Sequence, residues 1–287
     1  MKIAISGSTG FVGSHLIESL RHEGHEIIPL VREDFQKDSA SLAERISGAQ
    51  GIIHLTGAPI IKRWSEKHKQ RIYQSRVDTT HLLVMAVKNL KQKPDFFITT
   101  SATGIYRDDQ DFEHTEDDYK YGDDFLAKVT KDWEAEAYLV KPFSRLVIFR
   151  LGIVLGKNGG ALKTMLPIFK LGIGGKIGSG RQGFSWIHIK DLIKAYHFAV
   201  NNKELEGVYN LTAPQPVTNE EFTKALGKAI KRPVAFPVPE FALRMLYGEG
   251  AQTLTSGQFV RPRRLISQAF KFDYPTIEGA LRDIVLE

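Results

Sequence analysis

Three glycines at the start of the chain have the spacing of an anion-binding loop. Gly7, Gly10 and Gly13 recur every third residue in Gly7-Ser8-Thr9-Gly10-Phe11-Val12-Gly13. The first permits a tight turn out of a strand. The second lets backbone approach a ligand, and the third lets a helix pack closely on a sheet. Where such a loop opens a helix, unpaired N–H groups and the helix dipole favour a pyrophosphate. Arg32 stands nineteen residues beyond Gly13, where an acidic residue would hold the ribose hydroxyls of NAD. Arginine suits a 2′-phosphate instead, by a charge-assisted bidentate contact. The spacing therefore points to NADP(H) as the preferred ligand. NAD(H) is the alternative, because Glu33 or Asp34 could take the position if the register slipped.

These groups work only if strands and helices hold them. Short, β-branched, nearly continuous apolar runs at 2–6, 26–31, 51–55, 96–100 and 145–151 predict strands covered on both faces. Helices are expected over 12–23, 39–47, 65–90 (with a break near Ser75) and 124–140. In the last, Phe125, Val129, Trp133 and Ala137 recur at helical spacing. This alternation predicts an α/β fold, a Rossmann-type doubly wound parallel sheet. The interval from Arg32 to Gly51 has room for one helix but hardly for helix, strand and helix, so the usual third strand is expected to be missing or reduced to an edge remnant.

After Leu155 the pattern changes. The glycine-dense stretch 172–180 predicts a loop, and Thr218 with Glu221 predicts a capping-box helix start. Pro233, Pro237 and Pro239 predict extended chain before helices near 241–246 and 277–285. The expected organisation is an NAD(P)-binding Rossmann domain over 1–155. A smaller C-terminal substrate lobe over 156–287 would send elements back to the sheet.

The 287 residues contain no cysteine, which excludes disulfides, thiolate metal sites and a cysteine nucleophile, and no metal site is expected. No apolar run reaches the roughly 18 residues of a membrane span, and the first residues enter a strand at once, so a cytoplasmic protein is expected. The net charge of +6 would suit nucleic acid. The cations are scattered, however, without an aromatic-interleaved stripe, so the expected partner is a small-molecule substrate. The densest basic patch, from Lys62 to Arg76, is read as a helix face, and the acidic stretch 108–118 as a solvated loop. Helices 65–90 and 124–140 leave monomer and homodimer both open.

With ISGSTGFVGSHL, HLTGAPI (54–60), SRVDTTHLL (75–83), SATGIY (101–106), GDDFLAKVTKDWE (122–134) and GSGRQGFSWIHIKDL (178–192) in view, the chain resembles the extended short-chain dehydrogenase/reductase superfamily. Within it the chain is similar, almost end to end, to the atypical epimerase family proteins of the 39U type, which are NAD-dependent epimerase/dehydratase-like. The resemblance implies an oxidoreductase or epimerase-like enzyme of unknown substrate. It also implies that Thr9, Phe11 and Val12 join Gly7, Gly10 and Gly13 around the pyrophosphate. Leu55, Thr56 and Gly57 would pass the adenine ribose, Ser101 would lie below the nicotinamide ribose, and Arg150 with the stretch after it would lie near the nicotinamide.

Active members of the superfamily use a Ser or Thr, a Tyr that shuttles the proton, and a Lys that lowers the tyrosine pKa and holds the ribose. Here Ala102 stands four residues before Tyr106, where the Ser or Thr is expected, with Ser101 one step out. Asp124 stands four before Lys128, where the tyrosine is expected. The candidates for proton transfer are therefore Tyr106, Asp124 and His188, with Lys128 as the lysine. His188 also reads as a strand-to-helix junction. Lys176, Arg181, Arg244, Arg261, Arg263 and Arg264 are candidates to collect an anionic substrate. With the site degenerate, the alternative to an enzyme is a nonenzymatic NADP(H)-binding regulatory or sensor module.

Overall fold

The computed structural model describes residues 1–286. Six strands, β1 (Lys2–Ser6), β2 (Glu26–Leu30), β3 (Gly51–His54), β4 (Phe96–Ala102), β5 (Arg145–Leu151) and β6 (Gly207–Leu211), form one parallel sheet. Their spatial order is β2-β1-β3-β4-β5-β6. The two-residue alternation of each strand divides the core between the sheet's faces. Ile3 and Ile5 of β1 pack with Leu16, Leu20, Leu192 and Tyr196, whereas Ala4 between them packs with Leu42, Leu83 and Val87.

Helix α1 (Phe11–His22) follows the glycine loop, and α2 (Ser39–Arg45) fills the interval before β3 with a short 3₁₀ turn, Arg32–Gln36. Among the described residues no strand lies beyond β2, so β2 is the edge, as the length of that interval predicts. Pro29, which has no N–H to give a ladder, is tolerated there. The expected long helix is two, α3 (Glu66–Gln74) and α4 (Val77–Asn89). Side chains hold the break between them. Ser75 Oγ accepts from the Ala58 amide at 2.9 Å, and Arg76 donates to the carbonyls of Ile72 and Ala58 at 3.2 and 3.0 Å. Helix α5 (Phe125–Tyr138) starts at Asp124, whose carboxylate accepts from the Ala127 amide at 2.9 Å.

The second half contributes α6 (Leu162–Lys170), α7 (Ile189–Asn201), α8 (Asn219–Ile230), α9 (Glu240–Tyr247) and a closing helix, Ile277–Leu286. Thr218 and Glu221 form the expected capping box for α8. A separate core of Leu162, Phe184, Trp186, Phe222, Leu226 and Leu281 lies beneath these elements. Helix α7 and β6 go back to the sheet. The acidic stretch departs from its expected solvated character. Glu113–His114 pairs with Phe259–Val260, and the Glu116 carboxylate is buried on the amides of Asn210 and Arg264. These backbone donors lie far along the chain, so local composition could not reveal them.

Candidate functional site

A cleft of about 1190 Å³ opens at the carboxyl ends of β1, β2 and β3, the edge at which parallel sheets take ligands. Gly7, Thr9, Gly10, Arg32, Leu55, Thr56 and Gly57 all line it. Gly7 sits at φ +69°, and a Cβ there would lie 2.8 Å from the Leu55 carbonyl oxygen. A Cβ on Gly13 would collide with the Gly7 carbonyl. The loop is thus folded against its own helix as only glycine permits. Phe11, Val12 and Gly13 form the first turn of α1 behind the loop, with the Phe11 ring against Gly156 and Gly159.

Arg32 is exposed at the cleft rim and has no ion-pair partner among the described residues. Of the two acids that could reverse its preference, Asp34 is turned away. One carboxylate oxygen accepts from the Val31 amide at 2.8 Å and the other lies 3.9 Å from Arg45. Glu33 remains on the cleft wall. At the end of β3, the Thr56 hydroxyl is buried without a hydrogen-bond partner among the described residues. An unmatched buried hydroxyl is costly unless something else completes it. The far wall, missed in the sequence reading of single roles, comes from Arg71, Tyr73 and the start of α4. It is closed by His81, whose Nδ1 lies 2.8 Å from Glu136. Only the α4 part of it lies in SRVDTTHLL (75–83), and no residue type there announces a ligand.

Ser101 and Arg150 do not line this cleft; the sheet register places them together in a buried row. Ser101 pairs across strands with Arg150, and Arg150 with Asn210, so three polar side chains stand in a row on the face covered by α5. Ser101 donates to Glu134 at 2.5 Å, and Arg150 grips Glu134 from Nε and Nη2 at 2.8 and 2.6 Å. Arg150 Nη1 donates to the Tyr106 hydroxyl at 2.8 Å, which donates to Asn210 at 2.7 Å. Burial works against the Arg150 charge, but Glu134 and Tyr106 more than offset it and hold the guanidinium charged.

Tyr106 belongs to the same buried network. It is 0% exposed, stacked on His114, and burial pushes its hydroxyl up to about 12 against the pull of Arg150. A proton carrier must reach its substrate, and this hydroxyl is enclosed. His188 is also buried. It caps α7 through Nδ1, stacks on Tyr274 and meets Asp283 at 3.3 Å, which is the junction role. Asp124 is partly buried, with its second oxygen accepting from Gln252 at 3.1 Å. Lys128, one turn further on, is exposed and has no ion pair among the described residues.

Among the candidate anion collectors, Arg261 pairs with Glu113, Arg264 with Asp117, Lys176 with Glu220 and Arg244 with Glu240. Arg181 and Arg263 have no acidic partner among the described residues. Among those residues no group of His, Asp and Glu could hold a metal, and no helix is long and apolar enough to cross a membrane.

The sequence profile of the NAD dependent epimerase/dehydratase family matches residues 3–212. The chain belongs to that family. A domain of unknown function, DUF1731, matches residues 238–284 of this epimerase-family chain. The mouse epimerase family protein SDR39U1 is 37% identical over 99% of the chain and 100% of its own length. YfhF of Bacillus subtilis is 36% identical over 100% and 99%. The crystal structure of human epimerase family protein SDR39U1 with NADPH covers 100% of both chains, with a TM-score of 0.93 at 33% identity. Sugar-nucleotide epimerases such as UDP-N-acetylglucosamine 4-epimerase from Bacillus cereus share the fold, with a TM-score of 0.77 at 16% identity.

Proposed function

We propose that this epimerase-family chain is an NADP(H)-dependent oxidoreductase or epimerase-like enzyme acting on a small-molecule substrate. One observation carries the reading. Arg32 stands at the rim of the cleft with no ion-pair partner among the described residues, while Asp34 beside it is committed to the Val31 amide. The human relative whose crystal structure contains NADPH supports the same choice of nucleotide.

The residues present fit such a ligand. The Gly7–Gly13 loop leaves its backbone clear for a pyrophosphate, Arg32 meets a 2′-phosphate, and the Thr56 hydroxyl gains the partner it lacks. The bound nucleotide supplies or accepts hydride. Proton handling falls to Asp124, which of the three candidates is the one not sealed in a core. Lys128, one helical turn away, carries the positive charge on that side.

The test is titration of the purified protein with NADPH and NADH beside Arg32→Ala. The expected result is NADPH binding weakened about ten- to a hundredfold in the variant, with NADH little changed. Failure of the wild-type protein to bind either nucleotide would overturn the reading.

A further inference from the structure

The second lobe has an apolar rim that its core leaves uncovered. Helix α9 buries Leu243 alone, while Phe241, Met245 and Leu246 are 67%, 73% and 66% exposed. Phe241 and Met245, four residues apart, share one helix face. Phe236 from the preceding segment, and Leu171 and Ile173 from the loop after α6, are also exposed. These pieces adjoin. The Val238 amide donates to the Lys176 carbonyl at 2.8 Å, the Gly178 amide donates to the Val238 carbonyl at 2.9 Å, and Gly175 lies against the Phe236 carbonyl. Scattered apolar residues on a surface are ordinary, but a contiguous set marks a face that something covers.

Charge identifies what covers it. Lys170 and Arg232 stand on the segments at one end of the rim, and Lys62 and Arg63 at the other, where Arg63 donates to the Met245 carbonyl at 3.1 Å. None of these four has an acidic partner among the described residues. The neighbouring acids are already matched: Glu240 with Arg244, Glu220 with Lys176 and Lys224, Glu66 and Glu249 with Lys69. The unmatched charge is positive throughout.

We infer that this rim docks on an anionic lipid surface, its apolar side chains entering the headgroup boundary while the cations meet lipid phosphates. An amphipathic face flanked by Lys and Arg has the chemistry for that. A second copy of the chain fits worse, because a two-fold contact through this rim would bring unmatched cations together. The inference goes beyond the nucleotide reading and does not depend on it.

The experiment is co-sedimentation of the full chain with phosphatidylglycerol/phosphatidylcholine vesicles and with phosphatidylcholine alone. Binding is expected to the anionic vesicles, with release by high salt. Phe241→Ser with Leu246→Ser, and separately Lys170→Glu with Arg232→Glu, should each lower partitioning about tenfold or more. The second pair breaks no ion pair, so it should fold, with only a small fall in melting temperature from reversing Lys170 in the last turn of α6. Absence of binding to anionic vesicles overturns the inference. So does equal binding by well-folded variants, or a dimer that the same variants dissolve without any vesicle binding by the wild type.

Discussion

Arg150 and Glu134 lock together through two parallel hydrogen bonds of 2.8 and 2.6 Å beneath the carboxyl end of the sheet, each side chain nearly solvent-free. The pair is the centre of a network that runs from Ser101 to Asn210. Through the Asn210 side-chain amide it reaches the Arg261 carbonyl at 3.0 Å, far along the chain. Removing one partner leaves the other as an uncompensated buried charge. Glu134→Ala should therefore cost about 3–5 kcal/mol. Replacing both together, Glu134→Leu with Arg150→Met, should cost far less. Urea denaturation of the three proteins measures this, and equal losses in the single and double variants would contradict the account.

The Thr56 hydroxyl offers a cleaner probe of the cleft. Thr56→Val keeps the shape and removes a buried group that has no partner among the described residues. Stability should hold or rise by up to about 1 kcal/mol, while NADPH binding weakens several-fold. Calorimetric titration and thermal melting read the two effects separately. Unchanged affinity would mean that the hydroxyl plays no part in holding the nucleotide.

His54 makes stability depend on pH. It is fully buried with Nδ1 2.6 Å from Ser6 Oγ, and burial pulls its pKa down from 6.5 to about 3. Between those values the unfolded chain binds a proton that the folded one refuses, so stability falls as pH falls. The slope from this residue is about 1.4 kcal/mol per pH unit below 6.5, and nothing is lost above it. His54→Gln should flatten the urea midpoint between pH 6.5 and about 4.5 relative to the wild type. Parallel pH profiles would rule His54 out as the cause.

Asp124 combines a helix cap with the proposed proton role, and two substitutions separate them. Asparagine also caps helices, so Asp124→Asn should keep the melting temperature while Asp124→Ala loses about 1 kcal/mol. If Asp124 transfers the proton, NADPH oxidation across a carbonyl panel should fall about 10²–10⁴-fold in both. Full turnover by Asp124→Asn would reduce the residue to its cap.

The sequence by itself determined what depends on neighbours along the chain. The glycine spacing demanded the tight loop between β1 and α1, apolar periodicity set the strands and helices around it, and the short interval from Arg32 to Gly51 left no room for another strand. Ser75 marked the break between α3 and α4, but what holds it is contact with Ala58, seventeen residues away along the chain. The tertiary structure alone decided which polar residues face one another. Ser101, Arg150 and Asn210 come from three strands, and a single step of register would send each to the opposite face. That register is why Ser101 and Arg150 belong to a buried network, and why Tyr106, reached by Arg150 and Asn210 from other strands, is enclosed. The turn of Asp34 onto the Val31 amide, which leaves Arg32 to the cleft, is likewise a matter of conformation that residue identity does not encode.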